Sequence, residues 1–470
     1  MTAVSRRAFL ATAAATAATT GSGAEAQPAS TVRWWDHFGA LQKFHPKFAK
    51  DFSTRTGVPV EFTYYELSRL AQALTLAKQS NQLPDIHTTA GLEFPTAALV
   101  AENWFLPLDL SQPARDRLGK TVVEGIHSFN GKLYSFPLFT PKQYSAALWF
   151  NNTMAGAAGF DPASPPQSFD AVRAACASVR KNRPGTFGYT LALGNAARMG
   201  EHINDLAQAA GFKGLNGLRF ADGAFAYDDP AYLQAYEFFI ALNRDGHMVP
   251  GSETYSVSTS RARWATGIAA FFVDGPWCAG GVANNLSAFT DKMDVGAIPT
   301  PDGAAASLYR GPANPVFFLS SQSRNPAGAN QLLNAFVSDE YYAGLAHNMD
   351  QPPADVSAVL GNKDIHPAYR RIVGYFEATV FLAPMPILRN GDVAKVQAEA
   401  KPISPGLGEI LQGVLTGQVS NLKAALTSLN AASERDRQRA MASVTAKGAR
   451  VTIDDYAFPD WKPGTNYPPA

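Results

Sequence analysis

The chain alternates short apolar runs with longer segments in which apolar residues recur every three or four positions. The first run, Val32-Arg33-Trp34-Trp35, predicts a strand. Phe44, Phe48 and Phe52 then stand four apart on one helical face, and Gly57 ends that helix. "VPVEFTYY" predicts a second strand. Residues 66–80 predict a helix carrying Leu67, Leu70, Leu74 and Ala77, and "PDIHTT" a third strand. Strands alternating with helices of about 10–15 residues predict a mostly parallel α/β sheet.

Around residue 130 the pattern changes. "NGKLYSFPLF" and "YSAALWFNN" read as two apolar strands joined by Thr-Pro-Lys-Gln, a place for the chain to cross between lobes. "GFDPASPPQSFD" opens a helix on which Phe169, Val172, Cys176 and Val179 share a face. Helices near 229–245 and 256–266 precede a buried run, 268–273. That run breaks at Asp274-Gly275-Pro276 and sets Trp277 directly after the break. "ANPVFFLSS" predicts another strand, and "NPAGANQLLNAFVSDE" a helix started by Asn and Pro. The last third reads as helical, interrupted at Pro384, Pro386, Pro402 and Pro405. The final "DDYAFPDWKPGTNYPPA" has no helical period and reads as a surface strap.

A length of 470 residues allows two or three domains at roughly 150 residues each. Charged residues make up 17% and the formal net charge is +1, so there is no basic excess to hold nucleic acid or an anionic membrane. The N-terminus predicts a signal peptide over residues 1–26, cleaved near Ala26. Arg6-Arg7, a mildly apolar Ala/Thr stretch and Ala24-Glu25-Ala26 describe the twin-arginine type. Cleavage there removes two Arg and one Glu and leaves 38 basic against 38 acidic residues. No later segment has the roughly 18 apolar residues in a row that a membrane span needs, so no direct membrane insertion is expected. Neither cysteine lies near the signal, which excludes a lipid-modified N-terminal Cys and points to the periplasm. Cys176 and Cys278 read as buried thiols or, in that compartment, as a disulfide.

Several chemistries are missing. No G-x-G-x-x-G follows a strand, and no G-x-x-x-x-G-K-[ST] or G-x-S-x-G occurs. The eight histidines are scattered, so no metal site and no cofactor are expected. Two carboxylates among Glu66, Glu93 and Glu201 could meet in a cleft and hydrolyse a sugar, but carboxylates are common and this stays a rival reading.

Seven stretches, taken in order, resemble the solute-binding proteins of ABC importers, the group that includes maltose-binding protein. They are "FAKDFSTRTGVPVEF", "QLPDIHTT", "NGKLYSFPLF…ALWFNN", "PPQSFDAVRAAC", "RWATGIAAFFVDGPW", "DVGAIPTPDG" and "NPAGANQLLNAFVSDE". The resemblance implies an α/β, two-lobed periplasmic-binding-protein fold of type II, with hinge strands between the lobes and a helical C-terminal part. Lobe 1 is expected to take 31–142 plus about 300–345 and lobe 2 to take 143–299 plus about 346–450, with 451–470 as a tail. It further implies a monomer that is not an enzyme. Such a protein closes on a carbohydrate ligand by hinge rotation and offers the closed form to a membrane permease.

Ligands in open α/β sheets sit at the carboxyl ends of strands, which selects the candidate contacts. Asp36, His37 and Phe38 follow the first strand, where the family makes polar sugar contacts; a capping Asp is the alternative. Glu66 follows the second strand, and Thr89, Gly91 and Glu93 the third. Tyr144 sits at the crossing and Asn195 in "LGNAARMGEH", beside Arg198, Glu201 and His202. Gly311 and Asn314 lie in a turn that is Gly-rich in the family, and Arg389 in "PMPILRNGD". Trp277 is the lead candidate, because a flat indole stacks on the C–H face of a sugar ring. Trp277 as core filler is its alternative. Rival ligands are a polyamine, a phosphate ester, or iron at Tyr341-Tyr342. Neighbouring residues on a helix diverge by about 100°, which argues against the last.

Overall fold

A computed structural model describes residues 31–92 and 94–467. The signal peptide and Glu93 lie outside the described residues. Leaving two short hairpins aside, the strands in chain order are β1 (Val32–Asp36), β2 (Val60–Tyr64), β3 (Ile86–His87), β4 (Phe105–Leu106), β5 (Ala147–Asn151), β6 (Phe187–Thr190), β7 (Ala269–Asp274), β8 (Met293–Gly296), β9 (Leu308–Arg310), β10 (Phe318–Ser320) and β11 (Val380–Leu382). The first sheet has the order β2-β1-β3-β10-β4 and the second β8-β5-β7-β6; β9 and β11 form a separate ribbon.

The helices lie close to where the apolar spacing put them. Phe44–Thr56 buries Phe48 and Phe52 and ends on Gly57 in the left-handed region. Leu67–Gln79 buries Leu70, Leu74 and Ala77. Pro230–Arg244 and Val257–Ala265 fall within a residue or two of their expected bounds. Strand direction corrects the expectation of a mostly parallel arrangement. β1 runs parallel to β2 and β3, but β10 is antiparallel to both its neighbours. In the second sheet only β7 and β6 are parallel, while β5 is antiparallel to β7 and β8. The reversed strands β5 and β10 follow the places where the chain passes between the sheets.

Two large apolar cores result. Trp34, Phe48, Phe317, Phe336 and Tyr341 pack under the first sheet; Trp149, Phe150, Tyr189, Phe271 and Phe272 pack around the second. Cys176 and Cys278 are both buried free thiols, so the disulfide alternative is corrected. Between the sheets, "SFPLFTPKQ" is not a strand of its own length, because Pro137 and Pro141 carry no N–H for a ladder. It runs beside 352–354 instead: Thr140 N–H donates to the Pro352 carbonyl at 2.9 Å and Ala354 N–H to that of Leu138 at 3.2 Å. The C-terminal helices divide. Val393–Glu399 packs on Thr96–Ala101, beside the first sheet, whereas Leu407–Leu415 packs on Ala196–Ala209, beside the second. The tail bonds to the ribbon through Tyr467 N–H to the Leu382 carbonyl at 2.9 Å.

Candidate ligand-binding cleft

On the first wall, β1 delivers Asp36, His37 and Phe38. Asp36 is fully buried: its carboxylate lies 2.6 Å from His45 Nδ1 and accepts from Phe38 N–H at 3.2 Å. His45 Nε2 in turn lies 3.0 Å from the Tyr341 hydroxyl, which puts Tyr341 in the core. Asp36 therefore fixes the turn from within. His37 is half-buried, with Nδ1 3.0 Å from Thr88 Oγ1 and its ring centroid 4.4 Å from that of Phe38. Burial pushes its pKa down to about 3, helped by the charges of Arg198 and His45, so the ring is neutral. A neutral imidazole both donates and accepts, which suits a hydroxyl. Phe38 is buried against Phe139.

The other first-wall candidates have local duties. Glu66 caps the helix Leu67–Gln79, accepting from Ser68 N–H at 2.8 Å. The Thr89 carbonyl accepts from Leu92 N–H at 3.0 Å. Gly91 has φ +81° and faces that helix, where an added Cβ would lie 3.2 Å from Ala71. Tyr64, at the end of β2, brings its hydroxyl beside Gly39 and Gln42.

On the second wall, β7 ends on Asp274. Its carboxylate is 1% exposed; it accepts from Gly275 N–H and from the Trp277 indole N–H, and pairs with the Arg261 guanidinium. Trp149 Nε1 donates to the carbonyls of Asp274 and Gly275, at 3.1 Å each, and so clamps the same turn. Gly275 is required there, because a Cβ would lie 2.3 Å from the indole of Trp277. Trp277 is thus held on its own turn, half-buried, at the start of the helix Cys278–Asn285. Arg198 lies over the indole at 4.3 Å from the ring centroid and pairs with Glu201. Asn195 caps their helix, accepting from Arg198 N–H at 3.1 Å.

The two walls meet at the base. Gly280 N–H donates to the Met349 carbonyl at 3.1 Å, and a Cβ on Gly280 would lie 2.0 Å from the Asn348 carbonyl oxygen. Lys43 Nζ donates to the Asn284 carbonyl at 2.7 Å. Beneath lies Asp350, 2% exposed, whose pKa burial pushes up to about 7, with Asp36 adding to the shift and Gln351 N–H and Arg261 opposing it. An acid with a raised folded pKa binds its proton more tightly in the native chain than in the unfolded one. Stability should therefore fall as pH rises from about 4 to about 7. Asp350→Asn is expected to flatten that fall; urea unfolding at a series of pH values checks it, and an unchanged slope would refute the assignment.

Of the four remaining candidates, three are tied into other contacts and one is exposed. Tyr144 is buried edge-on to Phe376 at 4.7 Å. Gly311 abuts Met385, 3.0 Å from a built Cβ. Asn314 is exposed. Arg389 grips the tail, stacked 3.9 Å from the Phe458 ring and donating to the Ala457 carbonyl. Arg261, Asp274 and Thr88 were not anticipated. An Asp closing a wholly apolar strand was the available signal, since a buried carboxylate requires a cation. Among the described residues no group of His, Cys, Asp or Glu is placed to hold a metal ion, and no helix is long and apolar enough to cross a membrane.

The model of the bacterial extracellular solute-binding proteins matches residues 38–343. A search of curated proteins found no significant match. Among solved structures, one similar fold is an ABC-transporter solute-binding protein of Thermotoga lettingae bound with α-D-tagatose. It is 18% identical, with a TM-score of 0.66, over 87% of this chain and 99% of that one. An Agrobacterium vitis solute-binding protein with bound D-mannitol is 17% identical over 87% and 99%, TM-score 0.61. The Thermus thermophilus maltotriose-binding protein is 18% identical over 87% and 100%, TM-score 0.61. The fold is thus that of the two-lobed binding proteins, and a family match over 38–343 spans well over half of the 470 residues. By that match the chain belongs to the bacterial extracellular solute-binding proteins.

Proposed function

We propose that this solute-binding protein captures a carbohydrate, whether a mono- or short oligosaccharide or a polyol, and delivers it to the membrane permease of an ABC importer. The observation that carries this reading is Trp277: a half-buried indole, fixed through its N–H by a buried Asp274, at the end of a core strand. An indole face takes the C–H side of a sugar ring, while neutral donors and acceptors such as His37 take its hydroxyl edge. The tagatose-, mannitol- and maltotriose-binding folds support the same ligand class. Export as a monomer to the periplasm, through a twin-arginine signal cleaved near Ala26, and the lobe boundaries given above belong to this reading, as does the absence of catalysis. A phosphate ester would need an unpaired arginine pair and a polyamine several unpaired acids; Arg261 and Asp274 instead neutralise each other.

The test is calorimetry with Trp fluorescence against monosaccharides, disaccharides and polyols. One carbohydrate is expected to bind per molecule without being turned over. Clear binding of another chemical class, with no response to any sugar or polyol, would overturn the reading.

A further inference from the structure

The charged groups on both walls are largely matched with one another inside the protein. Asp36 holds His45, Asp274 holds Arg261 and, nearer the crossing segments, Asp205 holds Arg310. In these pairs no side chain is more than 19% exposed. The pair on the aromatic platform is different. Arg198 is 13% exposed and lies on Trp277, whereas its partner Glu201 is 55% exposed. Arg198 Nε is buried and has no hydrogen-bond partner. The guanidinium charge also reaches His37, at the end of β1, where it disfavours protonation of the ring. The guanidinium carbon lies over one face of the indole, 4.3 Å from its centroid, so a ligand that reaches this platform meets the charge.

We propose that the Arg198–Glu201 pair is the charge filter of this site: by neutralising the guanidinium beside Trp277, Glu201 admits neutral sugars and polyols and turns away sugar acids. The inference rests on the carbohydrate reading. An arginine alone on this platform would select a carboxylate, because its fork matches two carboxylate oxygens. Glu201 already takes that role from three residues along the same helix, the spacing at which helical side chains are neighbours. An incoming carboxylate would have to approach the Glu201 carboxylate, at a like-charge penalty. A hydroxyl carries no such penalty.

Matched pairs test this: D-glucose with D-glucuronate, D-mannitol with D-gluconate, and maltose with maltobionate, titrated by calorimetry. The wild-type protein is expected to bind at least one neutral member and to bind its acid partner at least tenfold more weakly. Glu201→Gln should shift that ratio toward the acid by tenfold or more, and added salt should shrink the gain. Arg198→Gln alone should sharpen rejection of the acid, and the double variant should lose the gain. Thermal unfolding shows that each variant is folded. Equal binding of acid and neutral partner by the wild type, or a ratio in Glu201→Gln within twofold of the wild type, overturns the filter and leaves the carbohydrate reading standing. Failure of all six compounds and of a wider sugar panel to bind overturns both.

Discussion

Trp277→Ala is expected to weaken sugar binding by about 1–3 kcal/mol, roughly 5- to 150-fold, while the protein stays folded. The size follows from the area and stacking that an indole gives a sugar ring, both lost on truncation. Survival of the fold follows from where the side chain sits. Trp277 is only half-buried and belongs to the turn between β7 and the next helix, whereas the core beneath is made by Trp149, Phe271 and Phe272, each fully buried. Trp277→Phe keeps a flat ring without the N–H that reaches Asp274, so it should recover part of the affinity. The part of the wild-type emission change that comes from Trp277 should be lost in both variants, against the background of the six other Trp residues. A folded Trp277→Ala with unchanged affinity for the sugar would return this residue to a purely structural role.

The same stretch shows what could be read in advance. "GIAAFFVDGPW" announced a buried strand, a break and an aromatic in sequence alone, because an apolar run, a Gly-Pro pair and a Trp are each local signals. β7 runs Ala269–Asp274, one residue later than the apolar run itself. The helices with Phe44, Leu70 and Cys176 on their buried faces were legible for the same reason. What could not be read depends on partners far apart in the chain. Asp274 needs Arg261, thirteen residues earlier, and Asp36 needs His45 and Tyr341; no spacing rule joins them. Arg389 lay in a plausible loop, but its guanidinium is taken by Phe458 and Ala457 of the tail, whose path has no periodic signal. Strand direction failed similarly: β5 and β10 are reversed by how the chain crosses between sheets, and apolar runs carry no direction. Arg198 was visible as one of several polar residues in "LGNAARMGEH". Its seat on Trp277 depends on two elements meeting, the helix Ala196–Ala209 and the end of β7.

Asp274→Ala is expected to cost about 3–5 kcal/mol of stability, more than any single change on the cleft walls discussed above, and to weaken ligand binding as well. The carboxylate is 1% exposed and has three partners: the Arg261 guanidinium, Gly275 N–H and the Trp277 indole N–H. Removing it leaves Arg261, 11% exposed and with its Nε already unpartnered, as a buried cation without its counter-charge. That uncompensated charge, rather than the worth of the pair, accounts for most of the loss. A second change separates the two effects. Arg261→Met in the Asp274→Ala background removes the stranded charge and keeps most of the volume, so urea unfolding should show much of the stability restored. Binding should not return with it, because Trp277 still lacks the acceptor that orients its ring. If affinity recovered along with stability, the indole would be positioned by its packing against Gly275 and Arg198, and Asp274 would serve the fold rather than the site.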